Sequence, residues 1–214
     1  SIQEDDNRLK SGYKKIIKNS VFITFPMMIG LAAVADPLFK VLLGAKWIPS
    51  IRYFKILCFA GMLFPLHALN LNILQVKGRS DLFLQLEVLK KITFLSSTAL
   101  VLFLNLGMIG LLWVSVVNSI IAYYINSYFS ASILNYSTID QIKDITPIFI
   151  ISAFMGLTVY AAGLVLPDSN IIKLILQVVI GIAVYIGLSK ISEIEEFNTI
   201  NDMMVSIVRE IRKK

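Results

Sequence analysis

Residues 92–139 read ITFLSSTALVLFLNLGMIGLLWVSVVNSIIAYYINSYFSASILNYSTI. No charged side chain interrupts these forty-eight positions between Lys91 and Asp140. A helix crossing a bilayer takes ~20 mostly apolar residues, so the run holds two crossings. Inside hydrocarbon every backbone N–H and C=O must be satisfied within its own segment, and a helix does this. The one turn-like stretch lies at its middle, Asn105-Leu106-Gly107-Met108-Ile109-Gly110. It predicts a tight hairpin between a helix ending near Leu104 and another starting near Met108.

The whole chain has the same character. Of 214 residues, 57% are hydrophobic and 16% charged, and the mean hydropathy is +0.76. This is the composition of a polytopic membrane protein. The net charge of +6 is therefore read as a topology signal, not a nucleic-acid one, because Lys and Arg collect in cytoplasmic loops. The single cysteine, Cys58, sits in an apolar run and is expected to be a small packed residue.

Working outward, six spans are expected in an all-α bundle, at about 17–43, 54–76, 82–104, 108–134, 145–166 and 170–189. Residues 1–16 form a charged lead-in and 192–214 a polar tail. Pro26 predicts a kink in the first span and Pro65 a bend in the second. Trp47, in the short loop between them, is expected at a membrane interface. Of the twenty Lys and Arg residues, fifteen fall on the side of the lead-in, the 77–91 region, the 135–144 loop and the tail. That excess predicts cytoplasmic termini. The outside connections, 105–107 and 167–169, are then very short and leave no room for an extramembrane catalytic domain.

The segments Phe25-Pro26-Met27-Met28-Ile29-Gly30 through Asp36-Pro37 and Leu43-Gly44-Ala45-Lys46-Trp47 resemble bacterial polysaccharide flippases of the Wzx type. So does Asn72-Ile73-Leu74-Gln75-Val76-Lys77-Gly78-Arg79-Ser80-Asp81. That superfamily also holds the MATE exporters and the lipid II flippases. The resemblance implies a partial MATE-like bundle, the C-terminal part of a two-lobed protein, which needs a missing N-terminal lobe or a homodimer. It implies an undecaprenyl-pyrophosphate-linked oligosaccharide as substrate, alternating access, and a multi-pass location in the bacterial inner membrane.

Moving such a lipid makes no bond, so no catalytic residue, cofactor or metal is expected. A charge at mid-bilayer costs about 2.5–3.5 kcal/mol on insertion scales, and a polar cavity relieves that cost. His67, Asn70, Asn72 and Gln75 are the richest intramembrane polar set, with interhelical hydrogen bonding as the competing role. Lys77, Arg79, Lys90 and Lys91 are candidates for the pyrophosphate, since cationic side chains suit phosphate; topology signalling and contact with anionic membrane lipid compete there. Asp36 is a candidate for cation coupling, although Asp-Pro also ends helices. A MATE-like small-solute antiporter, a membrane polysaccharide polymerase or acyltransferase, and a non-transporting fragment are the alternatives.

Overall fold

The computed structural model describes residues 2–167 and 169–199, the first five by backbone alone. Regular structure among the described residues is helical throughout. In chain order the helices are α1 (Ile2–Ala33), α2 (Ala35–Leu42), a 3-10 turn (Ala45–Ser50), α3 (Ile51–Met62) and α4 (Phe64–Val76). Then follow α5 (Ser80–Phe103), α6 (Gly107–Leu134), α7 (Thr138–Val165) and α8 (Asn170–Ile191).

Five stretches are long and apolar enough to cross a membrane: Asn7–Ala33, Ala45–Val76, Gly107–Leu134, Thr138–Val165 and Asn170–Ile191. Much of their apolar surface points outward; Phe103, Val165 and Leu164 are 82%, 88% and 73% exposed. Exposed apolar surface on this scale fits a lipid environment and no aqueous one. The chain is an all-α polytopic membrane protein. The expected third span corresponds to α5, whose first half carries Glu87, Lys90 and Lys91 and so lowers its apolar character. Its 24 residues are long enough for a hydrocarbon core of ~30 Å at 1.5 Å per residue.

The turns follow from backbone chemistry. At the α5–α6 hairpin Asn105 takes φ 52° and Gly107 φ 65°, and Leu106 N–H donates to Val101 C=O. After α4, Gly78 takes φ 72° while Arg79 N–H donates to Leu74 C=O at 2.8 Å. This is a Schellman ending, which needs a residue that tolerates the left-handed region. At α7, Ser137 Oγ accepts from Asp140 N–H as an N-cap. That cap starts α7 at Thr138, so the polar connection expected over 135–144 shrinks to Asn135–Ser137.

The prolines act differently from the expected kinks. The lead-in and the first span are one helix that continues through Pro26 to Ala33. Its break comes at Val34, because Pro37 has no N–H for the carbonyl of Ala33 and crowds it. Pro26 likewise leaves the carbonyl of Phe22 without its usual donor. The hydroxyl of Tyr185 on α8 donates to that carbonyl at 2.7 Å. In the second span the bend expected at Pro65 is a full interruption at Leu63, with Pro65 in the first turn of α4.

α1 packs against α7 and α3, α7 against α8, and α4 and α5 against α6. The main core joins Tyr13, Ile17, Val21 and Phe25 of α1 to Leu66, Ile73, Tyr123, Ile145 and Ile148. Both ends of the described chain meet at one end of the bundle. There Lys14 pairs with Asp144 at 2.9 Å, and Lys18 pairs with Glu196 at 2.6 Å. Tyr136 donates to Asp144; burial first, then that hydrogen bond and charge, push its phenol well above its ordinary value. Asp168 and the expected tail from residue 200 onward lie outside the described residues.

Candidate functional site

The predicted polar residues separate into five places. Asn70 is deepest, with no exposed surface. Its Nδ2 donates to Leu66 C=O at 2.9 Å and to Gln141 Oε1 at 3.1 Å. Its Oδ1 accepts from Gln141 Nε2 at 3.1 Å and from Ser130 Oγ. An amide offers two donors and two acceptor sites, so Asn70 is fully used in joining α4, α6 and α7.

His67 sits one turn toward the Leu63 interruption. Ser119 Oγ on α6 donates to the carbonyl of Ala60 at 3.0 Å, which is freed where the helix stops. A hydroxyl has one proton, so the 2.9 Å contact between His67 Nε2 and Ser119 Oγ makes the imidazole the donor. Nδ1 is then an acceptor, buried and without a partner among the described residues. Asn126 Nδ2 donates to the carbonyl of His67 at 3.2 Å. His67 thus holds the Ser119 hydroxyl that caps the helix break and keeps one nitrogen uncommitted.

Asn72, Gln75, Lys77 and Arg79 are exposed along the last turns of α4 and the following turn. Arg79 bonds Asp81 through two nitrogens, each at 3.2 Å. That contact holds the Asp81 carboxyl below its usual value. Lys90 and Lys91 line a cavity of about 400 Å³ on the α5–α6 flank, together with Glu87, Thr93 and Asn118. Lys90 pairs with Glu87 one turn away. Asn118 reaches across from α6 to Ser97 of α5 at 2.9 Å. The lysines are therefore brought to one cavity, while Arg79 is engaged by its own turn.

Asp36 stands apart, at the end of the bundle away from the termini. It is paired with Lys55 and 53% exposed. Around it lie Lys40, Lys173 and Asn170.

Several polar groups escaped the sequence reading. Gln141 follows Asp140 and precedes Lys143, a charged setting that in sequence reads as loop. Gln177 stands alone in the apolar run of α8; a lone intramembrane amide is the signal that would have found it. Its Nε2 donates to Val159 C=O at 2.9 Å. Gly163 leaves it room, since a Cβ there would come within 2.3 Å of Nε2. No group of His, Cys, Asp and Glu suited to a metal occurs among the described residues.

A family model described as "Polysaccharide biosynthesis protein" matches residues 1–52. The teichuronic acid biosynthesis protein TuaB of Bacillus subtilis is 24% identical over 161 residues, covering 75% of this chain and 33% of that protein. An "uncharacterized membrane protein in cps region" of Klebsiella pneumoniae is 25% identical over 189 residues, 86% of this chain and 38% of its own length. The lipopolysaccharide biosynthesis protein WzxC of Escherichia coli is 28% identical over 129 residues, 58% of this chain and 26% of its own. No solved structure matches. The chain spans between a quarter and two fifths of the length of these relatives. Over part of its length the chain is thus similar to bacterial polysaccharide-biosynthesis proteins, in line with the Wzx-type resemblance of its motifs.

Proposed function

We propose that this chain is part of a flippase, a transporter and not an enzyme, acting in surface-polysaccharide synthesis. It would carry a lipid-linked oligosaccharide, held on undecaprenyl pyrophosphate, across the bacterial inner membrane. The observation that carries this reading is its similarity to polysaccharide-biosynthesis membrane proteins. The relatives are longer, which fits a second lobe against which this bundle works by alternating access; a homodimer would serve the same end.

In this reading Lys90 and Lys91 attract the pyrophosphate at the cytoplasmic mouth, and Lys77 and Arg79 extend the basic rim. Both termini are cytoplasmic, following the excess of basic residues on their side. Asn72 and Gln75, exposed on α4, offer hydrogen bonds to sugar. His67 contributes Nδ1, whereas Asn70 acts as a fastener between helices. Asp36 couples to a cation only if Lys55 first leaves it.

The test is complementation of a polysaccharide-export null strain by the complete protein with Lys90→Ala plus Lys91→Ala, or with Arg79→Ala. Losing one charge-assisted contact to phosphate is worth about tenfold, so export is expected to fall by at least that for the lysine pair. Unchanged export at equal expression would remove these residues from the substrate path. Drug efflux without any polysaccharide defect would favour a small-solute antiporter instead.

A further inference from the structure

Two cavities at the end of the bundle away from the termini share one residue, Gln177. The first, about 310 Å³, is bordered by Asp36, Lys40, Lys55, Asn170, Lys173 and Gln177. Asp36 is committed to Lys55, and neither Lys40 nor Lys173 has a carboxylate within ion-pair distance among the described residues. The second, about 470 Å³, is a groove among α1, α7 and α8 with an apolar lining that includes Gly30, Val34, Met155, Gly181 and Ile182.

Helix numbering gives their relative depth. The polar cavity takes 33–40 of α1 and α2, 160–164 of α7 and 170–177 of α8. The groove takes 26–34, 155–159 and 177–186. On all three lines the groove lies about one to two turns deeper, away from the α7–α8 turn and toward mid-bilayer. The basic cavity near the α7–α8 turn and the apolar groove below it meet at Gln177. Gln177 marks the junction; its Nε2 donates to Val159 C=O, and its Oε1 is buried without a partner among the described residues.

We propose that the two cavities are one site for an anionic glycerophospholipid of the leaflet opposite the termini, phosphatidylglycerol in chemical type. Its phosphate lies between Lys40 and Lys173, and one acyl chain passes Gln177 into the groove. Neither the α4–α5 mouth nor transport enters this argument, so the site stands or falls apart from the proposed function.

The experiment is native mass spectrometry of the purified full-length protein in nonionic detergent, titrated with phosphatidylglycerol or phosphatidylcholine of identical chains. Phosphatidylglycerol is expected to be retained preferentially. Near a membrane surface each basic residue contributes enough for about fivefold in occupancy. Lys40→Gln plus Lys173→Gln should therefore lower phosphatidylglycerol binding by about 25-fold, and Lys40→Arg plus Lys173→Arg should retain it. Ile182→Trp, which fills the groove from an exposed position, should weaken both lipids alike. Equal retention of the two lipids, or no loss in the glutamine pair, overturns the proposal.

Discussion

Replacing Tyr185 by Phe tests whether α8 repairs the proline-broken ladder of α1. The substitution keeps the ring, which lies 5.1 Å from the ring of Phe22, and removes only the hydroxyl that donates to the carbonyl of Phe22. Interhelical hydrogen bonds in membrane proteins average ~0.6 kcal/mol and reach ~1.7. A carbonyl left buried without a donor adds a desolvation cost of ~1–3 kcal/mol. The low ends of these two ranges set the loss at ~1.5 kcal/mol. In a Pro26→Ala background residue 26 regains an N–H, which serves Phe22 from within α1. There the loss of the hydroxyl should shrink to ~0.5 kcal/mol, leaving a coupling of ~1 kcal/mol. The assay is reversible unfolding in mixed micelles, followed by tryptophan fluorescence for all four members of the cycle. Equal costs of Tyr185→Phe with and without Pro26 would refute the reasoning.

Asn70→Leu should cost ~2–3 kcal/mol by stranding the Gln141 amide, while Asn70→Leu with Gln141→Leu should recover most of that, both read by the same unfolding assay. Gly163→Ala forces a methyl against Gln177 Nε2, 2.3 Å from the ideal Cβ. It should cost ~1–3 kcal/mol as overpacking, and Gln177→Ala in the same chain should relieve it. Glu196→Gln unpairs Lys18, whose side chain is 16% exposed. Removing one member of a buried pair costs ~3–5 kcal/mol, but Lys18 keeps Glu195 at 3.4 Å, so ~2 kcal/mol is expected from thermal denaturation. The Asp81 carboxyl is held below its ordinary value by Arg79. The stabilisation from this pair is therefore full above the unfolded carboxylate pKa and is lost as pH falls through the lower folded value. Carboxyl titration by NMR should move back up in Arg79→Gln, and an unmoved titration would remove Arg79 as the cause.

The uncharged run 92–139 made α6 and its hairpin with α5 legible, because lipid leaves the backbone only one solution. The 105–107 turn was equally plain, since Asn105 and Gly107 both tolerate positive φ. What the sequence concealed were consequences of distant partners. Pro26 and Pro37 look equivalent in one dimension. Yet the carbonyl freed by Pro26 meets Tyr185 and the helix runs on, whereas Pro37 ends α1 at Ala33, four residues before it. Asn70 and Asn72 are two positions apart and were grouped together. Helical periodicity turns them roughly 200° from each other, one toward Gln141 and the other outward. Gln141 was hidden by its charged neighbours, because a Ser137 cap that begins a helix early is a backbone event with a short sequence signal. In sequence Lys90 and Lys91 group with Lys77 and Arg79, whereas the fold places the two lysines in a cavity that Asn118 joins from across the hairpin.

The Tyr185–Phe22 contact also sets an order of events during biosynthesis. Its partners are separated by 163 residues, and α8 follows every other described helix. At ~5–20 residues per second, the ribosome needs roughly 10–30 s to deliver the hydroxyl after the carbonyl has been made. Throughout that interval the membrane insertion machinery, lipid head groups or water must satisfy α1 at Phe22. The bundle therefore has a built-in delay between insertion of its first helix and closure around it. A stop codon placed ahead of Tyr185 would leave α1 waiting for a donor that never arrives, and such a chain is a ready substrate for membrane quality control.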